Sequence, residues 1–232
     1  MKTSSLEKYT AVESSLSVLL RYAAYTLLIF IATTSLPAVL QSGNIAAFKE
    51  GGWIERSQLL LLGATSSLYF YEAFFSAHHR AIFHFLACVS VFAMFRELDA
   101  FLDYLVPLIG WKIGFIFVFY ALFSAYAHRK VFLQQIQVFL ATHSMVILWA
   151  GFIVAIPIGQ LIGHGDFLKA LMGDNYDRDY KRLIEETLEL LGYILVLAGT
   201  IEAIVELRAE FNRRPTLEMY KVPRKRQSKL LY

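Results

Sequence analysis

Charge is scarce in this sequence. Asp, Glu, Lys and Arg make up 18% of its 232 residues, where a soluble domain carries about a quarter. So little polar surface cannot cover a water-soluble globule of this size, and the apolar excess must face lipid. Cysteine is nearly absent. The single Cys88 excludes an internal disulfide and a cysteine-rich zinc site. It stands inside an apolar run and reads as a small buried residue. No glycine-rich phosphate loop, GxGxxG, GxSxG elbow or HExxH motif occurs, which removes the standard nucleotide-binding, α/β-hydrolase and zincin signatures. No nucleic-acid partner and no organic cofactor site is expected. The stretch DNYDRD from Asp174 fails as a calcium loop, because Tyr176 and Arg178 occupy ligand positions and Asp179 occupies the glycine position. No internal repeat is visible.

What the chain has instead is apolar length: 57% of its residues are hydrophobic, with 19 Phe and 13 Tyr. A bilayer crossing needs about 20 apolar residues at about 1.5 Å rise each. Six stretches meet or approach this, at residues 17–40, 57–77, 81–105, 111–127, 138–162 and 183–207. Only helices satisfy their own backbone hydrogen bonds in lipid, and no two-residue alternation of a barrel strand appears. The expected fold is all-α, a polytopic membrane bundle of about six helices over residues 1–207, followed by a basic tail at 208–232. The N-terminal residues mix acids with lysines and the first apolar run is too long for a signal-peptide core, so it reads as a retained first span. Pro37 and Pro157 are expected to kink or end their helices.

Six crossings put both termini on one side. The tail from Arg208 onward holds eight of the 22 Lys and Arg, and without it the two sides are nearly even. The tail therefore carries the expectation that both termini are cytoplasmic and that the membrane is the cell (inner) membrane. It is also a candidate contact for anionic lipid headgroups.

Acids gather in the loops and helix ends assigned to the outer side. Glu55 precedes the second span; Arg96, Glu97, Asp99 and Asp103 end the third; His164 and Asp166 lie in the fifth loop; Glu185, Glu186 and Glu189 open the last span. If the third helix runs straight from Ala81, Glu97 lies about 24 Å and Asp99 about 27 Å along it, inside a core about 30 Å thick. Charges so deep usually face a bundle interior and are paired with one another, a backbone group or an ion. Glu185, Glu186 and Glu189 share adjoining helix faces, where like charges repel unless a cation or proton intervenes. Oxygen ligands suit hard divalent cations, and His164 admits zinc. The candidate metal ligands are thus Glu55, Glu97, Asp99, His164, Asp166, Glu185, Glu186 and Glu189, with a divalent ion as the candidate cofactor. The alternative is an ion-pair network, with Arg96, Arg182 and Arg56 as partners and the helix dipole favouring first-turn acids. A second set, Glu72, His84, His143, Glu202 and Glu206, falls toward the inner side, where Arg21 can snorkel.

Three functions fit. One is a carrier, channel or sensor binding a divalent cation or protons. Another is a membrane-embedded metal-dependent hydrolase acting on lipid, using a carboxylate as general base. The third is a non-catalytic subunit assembling with itself or with other chains through its helices. Catalytic zinc usually takes two or three histidines, and His164 is alone on its side. Whether the chain is an enzyme is left open.

Overall fold

The computed structural model describes the backbone of residues 3–41, 45–48, 51–76 and 78–220, and side chains between 16 and 209 within those limits, residues 37, 40, 45 and 46 excepted. Every regular element among them is helical. In order they are α1 (Thr3–Gln41), α2 (Trp53–Phe75), α3 (Arg80–Glu97), α4 (Asp99–Leu105), α5 (Phe115–Ala127), α6 (Arg129–Leu140), α7 (Ser144–Ile153), α8 (Gly159–Gly163), α9 (Gly165–Met172) and α10 (Arg178–Tyr220). Of the tail at 208–232, residues 221–232 lie outside the described residues.

Four helices are long and apolar enough to cross a membrane: Leu16–Leu36, Gly110–Ala127, Ser144–Gly163 and Arg178–Ala209. The pair α3–α4 makes a fifth if it counts as one span. The surface agrees. Leu60, Phe74, Phe119, Phe123 and Val146 are among many large apolar side chains left exposed, far more than a water-soluble surface carries. None of the Leu16–Leu36 window of α1 is buried.

Two boundaries differ from the sequence expectation. The expected span 81–105 breaks at Leu98, and α4 turns 75° away from α3. Asp99 and Asp103 therefore do not continue up the α3 axis, so the straight-helix depth given to Asp99 does not apply. The expected span 138–162 starts at Ser144, because Val138, Phe139 and Leu140 end the separate helix α6. Pro157 falls between α7 and α8. The chain widens into a π turn at Val154–Ile158, which contains it, and resumes as α8. A wider turn accommodates a residue that has no N–H to donate and whose ring would crowd the preceding turn.

The described residues form two compact units, Met1–Gln58 with Gly151–Ile194, and Leu59–Ala150 with Leu195–Tyr232. In the first, α8 and the π turn run antiparallel to the start of α10, with Ala155 opposite Gly192 and Gly163 opposite Glu185. The approach is backbone to backbone. A Cβ on Gly192 would stand 2.5 Å from the Ala155 Cβ and 2.6 Å from its nitrogen, so only glycine fits.

In the second unit the core is Tyr69, Ala73, Ile82, Phe83, Ala87, Phe139, Ala203, Ile204 and Leu207. Ring contacts set the directions of its helices. Tyr69 meets Phe83 and Gly63 packs on Met94, so α2 and α3 form an antiparallel hairpin. His84 meets Tyr120 and Phe92 meets Trp111, so α5 is antiparallel to α3. Gly199 of α10 packs on Leu148 of α7, and Glu206 on Ser144, again antiparallel. Tyr69 pairs with Thr200, and Glu72 with Arg208, so α2 and α10 run the same way. Gly110 turns the chain into α5 with φ +53°, in the left-handed region, and the Asp103 carboxylate lies where a Cβ would be.

Candidate functional site

In the first unit, Glu55 sits in the first turn of α2 and its carboxylate accepts the Gly51 N–H at 2.6 Å. It reaches back over the helix start as the acid of a capping box does, satisfying a donor that the helix leaves open. Gln58, one turn further and fully buried, donates its amide to the Glu186 backbone carbonyl at 3.1 Å and to the Glu186 carboxylate at 3.0 Å. Glu185 pairs with Lys181 at 3.6 Å, one turn earlier on α10, and its carboxylate lies against bare Gly163. Glu189 is buried, with its methylene packed on Gly159. His164 is exposed at the joint between α8 and α9. Asp166 is also exposed, in the first turn of α9, with Lys169 at 3.6 Å.

In the second unit, Glu97 is buried at the end of α3 and takes the Arg96 guanidinium at 3.2 and 3.0 Å. Asp99, exposed at the start of α4, accepts the next backbone N–H, that of Ala100, at 2.6 Å. Among the described residues, no group of three or more His, Cys, Asp or Glu side chains is gathered as metal ligands would be.

Other buried polar contacts in the second unit tie helices together. The Glu72 carboxylate receives both Nε, at 3.3 Å, and a terminal nitrogen of Arg208. Arg80 donates to the carbonyls of Ala73 and Phe74 at 2.9 and 3.4 Å, capping the open end of α2. Gln135 of α6 accepts the Ile82 N–H at 3.1 Å, satisfying the first turn of α3. Glu206 accepts the Ser144 N–H at 3.1 Å and stands 3.8 Å from His143, placing a carboxylate at the α7 N-terminus where the helix dipole favours it. The Tyr69 and Thr200 hydroxyls are 2.8 Å apart inside the core. His84 stands between the rings of Phe70 and Tyr120.

Sequence reasoning named Glu72, His143 and Glu206 but missed Gln58, Gln135 and Arg80 as partners, and read Arg208 only as the start of the tail. A glutamine in or beside an apolar run was the available signal, since an amide in lipid needs partners for two donors and an acceptor. No family model, curated protein or solved structure matches this chain.

Proposed function

We propose that this chain is a multi-pass membrane protein of six crossings, acting as a non-catalytic subunit in which buried charge ties helices together. Helix α2 is the sixth crossing. Its 23 residues reach about 34 Å, long enough for the hydrocarbon. It is less apolar than the other crossings because of Gln58, Thr65, Ser66 and Glu72, all of which it buries. The alternating directions of α2, α3, α5, α7 and α10 in the second unit are those of successive crossings.

The observation that carries the subunit reading is the Glu72–Arg208 pair. A carboxylate only 2% exposed is spent on a guanidinium of another helix. The acids at Glu55, Glu97 and Glu186 are spent likewise, on a backbone N–H, an arginine and a glutamine. A carboxylate so engaged has fewer lone pairs for an ion and a poorer position as a base.

The test is metal content by mass spectrometry on purified wild type, Glu97→Gln and Glu189→Gln, alongside melting temperature. The expected result is no stoichiometric metal, with lowered melting in Glu97→Gln, where Arg96 loses its charge partner. A stoichiometric divalent ion in the wild type, lost in both variants, would overturn the subunit reading in favour of a cation-binding carrier or a metal-dependent hydrolase.

A further inference from the structure

The twelve residues of α6, RKVFLQQIQVFL, begin one residue after α5 ends and finish three residues before α7 begins. They therefore stand between two of the crossing segments. Because α5 is antiparallel to α3, the C-terminal end of α5 is level with the N-terminal end of α3. Phe132 of α6 meets Phe85, and Gln135 bonds the Ile82 backbone. Phe139 joins the core cluster with Ala73, Ala203 and Leu207. Phe132 meets Phe85 although Tyr120, twelve residues earlier on α5, already meets the adjacent His84, and from Phe132 to Gln135 the contacts move from Phe85 toward the start of α3 at Ile82. The chain therefore turns back after α5 onto the ends of α2 and α3 instead of continuing the α5 axis.

Its faces fit that placement. At about 100° per residue, Phe132, Gln135, Ile136 and Phe139 form the face turned to the protein, while Lys130, Gln134 and Gln137 stand opposite and are exposed. Leu133 and Leu140, seven apart on one flank, are exposed apolar side chains. The rim around it exposes four cations, Arg80, Arg129, Lys130 and Arg208, with the side chains of His78 and His128 beside them. Of the acids described there, Glu72 and Glu202 are buried, and Glu206 is half-buried at the α7 N-terminus.

We propose that α6 lies in the plane of the membrane surface, with Leu133 and Leu140 in the acyl boundary and Arg129 and Lys130 on the phosphates of anionic lipid. An amphipathic helix with apolar flanks and basic residues binds an interface through both terms, apolar burial and attraction to negative headgroups. The inference rests on the membrane reading above and goes beyond it, because the contact lies in α6 and not in the C-terminal tail.

The test uses the full chain reconstituted in phosphatidylcholine with phosphatidylglycerol. Nitroxides are placed singly by Leu133→Cys and Leu140→Cys in a Cys88→Ala background, and their depths are measured. Spin-labelled phosphatidylglycerol reports lipid preference for wild type, Arg129→Gln/Lys130→Gln and Lys112→Gln, the last at the opposite end of the α5 crossing. The two depths are expected to agree within about 3 Å, and the double variant is expected to lose preference for the anionic lipid by about fivefold per charge, with Lys112→Gln unchanged. Depths differing by about 10 Å, as for a crossing helix, would overturn the in-plane placement. A double variant with undiminished preference would overturn the lipid contact. A chain that does not enter bilayers at all would instead refute the membrane reading itself.

Discussion

Arg208 of α10 holds the carboxylate of Glu72 of α2 with two of its nitrogens, and the two partners differ sharply in exposure. The Glu72 side chain is 3% exposed and that of Arg208 57%. The pair is thus half in water, and its net contribution is smaller than that of a fully buried pair. The asymmetry sets the outcome of mutation. Removing Arg208 leaves a buried carboxylate without its charge partner, whereas removing the charge of Glu72 leaves an arginine that can reach water. Arg208→Gln is expected to cost about 2 kcal/mol and Glu72→Gln about 1 kcal/mol or less, read by denaturation in detergent. The double variant should resemble Glu72→Gln. Equal costs for the two single variants would mean that burial does not govern the pair.

The helix–helix approach at Gly192 gives a second expectation. A methyl group there would sit 2.5 Å from the Ala155 Cβ, whereas at Gly63 the nearest atom is the flexible Met94 Cε at 3.8 Å. Gly192→Ala should therefore destabilise by about 1–3 kcal/mol through overpacking. Gly63→Ala should stabilise by up to about 1 kcal/mol through helix propensity. Melting temperatures that shift the same way in both would contradict the close packing of the π turn on α10.

Gln135 supplies a third. It accepts the Ile82 N–H from a buried position, so Gln135→Leu leaves a buried donor unsatisfied and should cost about 1–3 kcal/mol. Gln135→Glu keeps an acceptor and should retain more of the stability. Hydrogen exchange at the Ile82 amide reads the contact directly: protected in wild type, faster in the leucine variant.

The apolar runs made the helices legible because lipid leaves the backbone no alternative. The runs at 17–40, 111–127 and 183–207 correspond to α1, α5 with its preceding turn, and α10. The break at Leu98 was not legible, since FRELDAF carries no proline or glycine, and the turn at Gly110–Gly114 that α3 and α4 both pack against is remote from it in the local pattern. The separation of α6 from α7 left a trace in QQIQ, where Phe132, Ile136 and Phe139 repeat at helical spacing around Gln135. The charges of the candidate site were visible as residue types, but their partners were not. Gln58 and Glu186 are 128 residues apart, and no local pattern connects them. Glu55 and Asp99 meet backbone groups within four residues because each stands in the first turn of a helix, whereas the sequence placed Glu55 ahead of its helix and Asp99 near the end of one.

The number of crossings decides most between this account and its rivals, because it fixes whether α2, with its buried polar face, spans the bilayer. The measurement is labelling by a membrane-impermeant maleimide in sealed vesicles of known orientation, using Lys2→Cys and Lys229→Cys separately in a Cys88→Ala background. Six crossings predict that both positions label from the same side. Labelling from opposite sides would show an odd number of crossings and contradict the six-helix account.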